Sequence, residues 1–112
     1  MKPEQFIREH GEKKAREVVE DAPDGHKGYN DVINQYTRGV WFSRDVMLSD
    51  LKRLVESLEI IETVGYDRDG AEEIYEFSKD CEVIHYAGLE IKVTRLAQAI
   101  RDHESIYGGG DA

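Results

Sequence analysis

The feature that most constrains this chain is an apolar stripe at its middle. In LSDLKRLVESLEIIETV, Leu51, Leu54, Val55, Leu58 and Ile61 recur three and four residues apart, so they share one face of a helix over Leu48–Val64. Ser49 is the expected N-cap, because its hydroxyl can accept a hydrogen bond from a free first-turn amide. Asp50 suits the positive end of the helix dipole. Arg53, Glu56, Glu59 and Glu62 take the opposite side, and Gly65 is the expected stop, a left-handed residue after the last turn. Such a stripe needs an apolar surface to lie on, so the flanking segments must supply the rest of a core.

Upstream, Phe6, Ile7, Ala15, Val18 and Val19 make a second helical stripe, begun near Pro3 and interrupted at Gly11. Either two short helices meet at His10–Gly11, or one helix carries Gly11 where another backbone comes close. Ala22-Pro23-Asp24-Gly25 reads as a turn. Tyr29, Val32, Ile33 and Tyr36 suggest a short helix. Val40-Trp41-Phe42 and Val46-Met47-Leu48 are β-prone runs around Ser43-Arg44-Asp45, which predicts a hairpin with a three-residue loop. Trp41, the only tryptophan, is expected as a core anchor against the central helix, or else as part of an interface.

Downstream, Asp69 is placed to cap a short helix whose apolar contacts are Ile74 and Phe77. The runs Cys81–Tyr86 and Leu89–Val93 flank Ala87-Gly88, a second hairpin. Thr94 then caps a last helix with Leu96, Ala99, Ile100, His103 and Ile106 inward. Gly108–Ala112 is expected to be a flexible tail.

These elements predict an α+β fold, mostly helical with two short hairpins. The 112 residues, 39% apolar and 35% charged, suit one compact domain over residues 1–107. The two halves share an order of helix, Asp-Gly turn, short helix, hairpin and capped helix at an offset of 45 residues. That offset lays Leu51 on Leu96, Ile61 on Ile106, Ser49 on Thr94 and Gly65 on Gly110. It suggests tandem units over about 5–50 and 50–107, whose hairpins could meet in one small antiparallel sheet.

Charge divides the chain unevenly. Residues 1–55 hold ten acidic and ten basic side chains, and residues 91–112 hold three of each. The net charge of −9 therefore arises wholly within residues 56–90, where eleven acidic groups face only Arg68 and Lys79. Such a field repels nucleic acid and attracts cations or basic surfaces. Glu56, Glu59, Glu62, Asp67, Asp69, Glu72, Glu73 and Glu76 are the candidate acidic interaction surface. Its bland counterpart is an ordinary solvated helix face.

No apolar run approaches the roughly 18 residues of a membrane span. The N-terminus is charged from Lys2 and carries no signal segment, and Cys81, the only cysteine, excludes an internal disulfide. A soluble intracellular protein is the expectation, with Cys81 a buried structural thiol. Histidines 10, 26, 85 and 103 do not meet the spacing rules for zinc. His10 and His103 read as hydrogen-bonded core histidines, and His85, Tyr86 and Asp80 as a remote acid–base candidate. No P-loop, no GxGxxG after a strand and no GxSxG occurs, so the chain reads as non-catalytic and without a cofactor.

One motif approaches a metal loop. Setting Gly70 at the glycine of an EF-hand puts Asp67, Asp69 and Glu76 at ligand positions, yet Gly65 stands where the first carboxylate belongs. A plain Asx-type turn competes with it.

The segments EQFIREHGEKKAREVVEDAP and DLKRLVES resemble small uncharacterised accessory proteins of tailed bacteriophages and prophages of enteric bacteria. The resemblance covers the N-terminal and central helices, about half the chain, and implies a bacterial cytoplasm and an accessory role in phage replication or regulation. The chain supports three functional expectations. The first is protein–protein interaction, with the acidic surface docking on a basic surface of a host or phage protein, nucleic-acid mimicry being a special case. The second is a small DNA-binding regulator using Lys13, Lys14, Arg16, Lys27, Arg38 and Arg44. The third is a calcium-linked protein using Asp67, Asp69 and Glu76. A homodimer is compatible with each.

Overall fold

The computed structural model describes residues 1–86 and 88–108. Among them are five helices and five short strands, a mostly helical α+β chain. The chain divides into two compact units, Met1–Val55 and Glu56–Ala112, with the boundary inside the central helix.

Unit 1 opens with α1 (Pro3–His10) and α2 (Glu12–Glu20), which pack on each other. Of the two alternatives for this stripe, two helices meeting at Gly11 is the outcome. Gly11 has φ 92°, and a Cβ there would meet nothing within 4 Å, so its backbone angle rather than space requires glycine. Phe6, Ile7, Ala15 and Val18 are buried. Gly25, at φ 84°, closes the expected turn, with the His26 N–H donating to the Pro23 carbonyl at 3.3 Å.

Residues 28–47 depart from the expected helix and hairpin. Tyr29 and Tyr36 do not share a helix; they are cross-strand partners. Strand β1 (Gly28–Asn30) pairs antiparallel with β2 (Gln35–Thr37) and β3 (Asp45–Met47), in the order β2-β1-β3. The Tyr29 and Tyr36 rings meet edge to face at 5.0 Å, and the Tyr36 hydroxyl donates to the Val18 carbonyl at 2.7 Å. Val32 and Ile33 lie in the turn between β1 and β2, which Asn34 completes at φ 53°. Val40-Trp41-Phe42 is loop rather than strand, and Trp41 is exposed rather than a core anchor.

The central helix α3 (Leu48–Gly65) starts directly at the end of β3. Ser49 thus lies inside its first turn instead of capping it. Leu51, Leu54, Val55, Leu58 and Ile61 are all buried, as their spacing predicts. Gly65 is not the left-handed residue. Tyr66 is, at φ 67°, and Gly65 serves a different need. A Cβ on Gly65 would collide with the backbone of Gly70 and Ala71, so glycine lets the next helix start immediately beside it.

In unit 2, α4 (Arg68–Ser78) begins after two intervening residues. Its N-cap is Asp67, not Asp69: the Asp67 carboxylate accepts from the Gly70 N–H at 2.9 Å. Ile74 is half-buried, but Phe77 is exposed. Strands β4 (Val83–Tyr86) and β5 (Leu89–Lys92) form the expected hairpin, with Gly88 at φ 79°; Ala87 lies outside the described residues. Helix α5 (Val93–Tyr107) begins as β5 ends, and neither Thr94 nor any other side chain caps it. Its inward positions are Val93, Leu96, Ala99, Asp102 and Ile106, with His103 half-buried beside them. Ile61, Val64, Ala71, Ile91, Leu96 and Ala99 form the apolar cluster of this unit. Cys81 is exposed, not buried. The tail expected beyond Gly108 lies outside the described residues.

The hairpins do not join; each unit keeps its own antiparallel sheet. The 45-residue offset holds where strand passes into helix, since α3 begins at Leu48 and α5 at Val93. It breaks over residues 28–33, which are strand and turn, whereas their counterparts from 73 to 78 are helix.

Candidate functional site

The boundary between units coincides with a boundary in charge. Residues 1–55 hold ten acidic and ten basic groups, while residues 56–112 hold fourteen acidic and five basic, the entire −9. All eight carboxylates singled out from the sequence are exposed. Glu56, Glu59 and Glu62 succeed one another at intervals of three along α3, and Asp69, Glu72, Glu73 and Glu76 fall within an arc of roughly 100° around α4. Asp67 and Asp69 also sit at the positive end of the α4 dipole, which favours them there.

Few cations compensate this surface. Lys79 Nζ lies 3.0 Å from Glu76 Oε1, and Arg68 Nε lies 3.8 Å from Glu72 Oε1. Both pairs are solvent-exposed, so each contributes little. Glu56, Glu62, Asp69 and Glu73 have no ion pair among the described residues.

Part of this surface borders a cavity of about 350 Å³, lined by Glu56, Glu59, Ile60, Thr63, Leu89, Glu90, Ile91 and Arg95. Three carboxylates and one guanidinium line it together with the apolar Ile60, Leu89 and Ile91. That guanidinium is already engaged. Arg95 Nη1 donates to Ser57 Oγ at 3.0 Å, and Ser57 Oγ donates to Asp102 Oδ2 at 2.6 Å. Gln98 Nε2 donates to the other Asp102 oxygen at 2.8 Å. Ser57 and Asp102 are buried, so this network anchors α3 to α5 from inside the unit. Of the carboxylates lining the cavity, Glu56 and Glu90 have no ion pair among the described residues. The network went unread in the sequence, although its signal was present: Asp102 stands three residues after Ala99 and four before Ile106, on the core face.

The EF-hand reading does not survive the local geometry. Its ligands at the first five positions sit on an irregular loop, but only Tyr66 and Asp67 separate α3 from α4. Asp69 and Glu76 are helical, and Asp67 is occupied as a cap. The three carboxylates are therefore not gathered around one point.

The cations expected for DNA are partly spent as well. Arg16 pairs with Glu12 at 2.6 Å, and Arg44 Nη2 pairs with Glu9 at 2.8 Å. Arg44 also binds Asp31 through both Nε and Nη2. Lys13, Lys14, Lys27 and Arg38 are exposed. Asp31 in turn contacts His10 Nε2 at 2.9 Å. So His10 is a hydrogen-bonded but exposed histidine, not a core one. Bonding to Arg44 outweighs burial and holds the Asp31 carboxyl down at about 2. Among the described residues, Glu9, His10 and Asp31 bring three ligating atoms within 4.8 Å of one another. Arg44 supplies the positive charge at that point. His103 is half-buried with no partner for Nδ1, and burial, seconded by the nearby Arg68, lowers its pKa. His85, Tyr86 and Asp80 are not hydrogen-bonded to one another.

No helix among the described residues is long and apolar enough to cross a membrane. No protein-family model, curated protein or solved structure matches the chain.

Proposed function

We propose that the protein is a non-catalytic binding module whose second unit docks on a basic surface of another protein, in keeping with an accessory role in a phage-infected bacterial cytoplasm. The observation that carries this reading is the set of eight exposed carboxylates, four of them with neither an ion pair nor a side-chain hydrogen bond among the described residues, in the unit that holds all the net charge. The cavity beside them narrows the class of partner. Its lining of Ile60, Leu89 and Ile91 suits apolar side chains, while the negative charge of Glu56, Glu59 and Glu90 attracts lysine or arginine. An amphipathic basic segment satisfies both.

A fluorescein-labelled amphipathic Leu/Lys peptide is the probe. It should bind the full chain, and raising salt from about 50 to 500 mM should weaken binding at least tenfold, because screening acts on exposed charge. The triple variant E56Q/E59Q/E90Q should bind about tenfold more weakly at low salt, with circular dichroism unchanged. Binding that ignores both salt and the three substitutions would sink the reading. Retardation of duplex DNA by the same protein would replace it with the DNA-binding one.

A further inference from the structure

Unit 1 carries a different surface. Val32, Ile33, Trp41 and Phe42 are 67%, 57%, 69% and 68% exposed. They belong to two loops, the turn from Asp31 to Asn34 and the segment from 38 to 44. The register brings the turn and the Asp45 end of the second segment to one end of the sheet, the segment itself starting at the other, where Gly39 lies beside Gly28. Asn30 faces Gln35 on one side and Asp45 on the other, so the turn after Asn30 and the loop arriving at Asp45 leave the sheet together.

Both loops hang on one buried pair. Asn30 Oδ1 accepts the N–H groups of Val32 at 2.9 Å and Ile33 at 3.2 Å. Asn30 Nδ2 donates to Asp45 Oδ1 at 2.7 Å. Asp45 Oδ2 accepts the N–H groups of Trp41 at 2.9 Å and Phe42 at 3.0 Å. Asp45 is fully buried, which opposes its charge, yet the Trp41 and Phe42 amides and the Asn30 side chain together hold its pKa below the ordinary value. This network fixes the backbone beneath four exposed apolar side chains. Loops ordered in advance lose little entropy on binding, and rigid aromatic side chains are the residues that dominate interfaces.

We infer that this face pairs with the same face of a second copy of the chain. Area is the first argument. The exposed parts of the four side chains come to roughly 500 Å² per subunit, a suitable apolar centre for an interface of about 800 Å² per partner. Charge is the second. An isologous contact places a surface against itself, so a surface of one sign repels its copy. These loops carry Asp31, Arg38 and Arg44, and Asp31 and Arg44 are bonded to each other. A strongly acidic or basic partner would find only Arg38 uncompensated beside the apolar side chains. Pairing through unit 1 would also give each particle two acidic units, raising the avidity of the docking proposed above without being required for it.

Sedimentation equilibrium of the full chain tests this. At about 100 µM the mass should be twice the 12.8 kDa of the chain, and emission from Trp41 should shift to the blue as concentration rises. W41S/F42S and, separately, V32S/I33S should raise the dimer dissociation constant at least tenfold while the far-ultraviolet spectrum and low-salt peptide binding per chain persist. E56Q/E59Q/E90Q should leave the dimer intact. A chain that remains monomeric at the highest concentration overturns the inference. So does a dimer that both loop variants leave unchanged, or a monomer whose Trp41 emission shifts only when a different protein is added.

Discussion

The two units are nearly equal in length and differ chiefly in charge. Unit 1 is neutral, buries Asn30 and Asp45, and leaves Val32, Ile33, Trp41 and Phe42 in solvent. Unit 2 carries the whole negative charge and displays its carboxylates, but it too buries a polar pair, Ser57 and Asp102, and leaves Tyr66 and Phe77 in solvent. The comparison teaches that charge state and exposed apolar surface are separable properties of neighbouring segments. A −9 unit stays well solvated but repels its own copies, whereas a neutral unit with apolar loops can meet itself.

The largest expected effect lies in the buried pair of unit 1. Asp45→Ala removes the acceptor of three donors and strands two backbone amides, so it should cost about 3 kcal/mol in urea unfolding. Asp102→Ala in unit 2 removes the acceptor of the Ser57 hydroxyl and the Gln98 amide and should cost less, about 2 kcal/mol, because a helical serine hydroxyl can turn to a carbonyl of its own helix and Gln98 is partly exposed. Equal losses would break the contrast.

Next comes the joint between α3 and α4. Gly65→Ala should cost about 2 kcal/mol, since the new Cβ must displace backbone rather than a side chain. Gly11→Ala, which meets no neighbour, should cost about 1 kcal/mol through its φ of 92° alone. Thermal melts of the two variants rank them.

Acid should separate the units as well. A group whose pKa is lowered in the folded state binds its proton first in the unfolded chain, so stability is lost as pH falls. For His103 in unit 2 that loss begins as pH drops through 6.5, and H103F should remove it. For Asp31 in unit 1 it begins near 3.8 and continues to about 2, with Asp45 adding to it in the same direction. Denaturant midpoints at pH 8, 5.5 and 3 would resolve the two windows. A single loss confined to low pH would remove His103 from the account.

The smallest effect is expected on the acidic surface itself. E62Q/E73Q should change stability by less than about 0.5 kcal/mol, with any gain largest at low salt, where like-charge repulsion is least screened. A loss above about 1 kcal/mol would mean that these carboxylates hold the unit together instead of serving a partner.

Where one periodicity ran long enough, the residues alone were sufficient. The stripe of α3 spans several turns, and only one face of a helix can collect its five apolar residues. The β4–β5 hairpin was legible for a similar local reason, a two-residue loop between patterned runs, whereas Gly11 marked an interruption without deciding between a break and a close approach. Unit 1's sheet was not. Its strands are three residues long, too short to show alternation, and Tyr29, Val32, Ile33 and Tyr36 happen to match helical spacing. Asn30 and Asn34 were the better guides, since asparagine can bond its own turn and tolerates a left-handed backbone.

By itself, then, the sequence determined the helices, the second hairpin and the place where the charge accumulates, because these depend on neighbours in the chain. Tertiary structure alone decided that Trp41 faces solvent, that Asp45 and Asp102 are buried, and that the carboxylates of 56–76 all point outward. Those outcomes depend on which distant groups satisfy a hydrogen bond or cover an apolar side chain. Asp45 can be buried only because Trp41, Phe42 and Asn30 bring their donors to it, and that meeting is made by the fold.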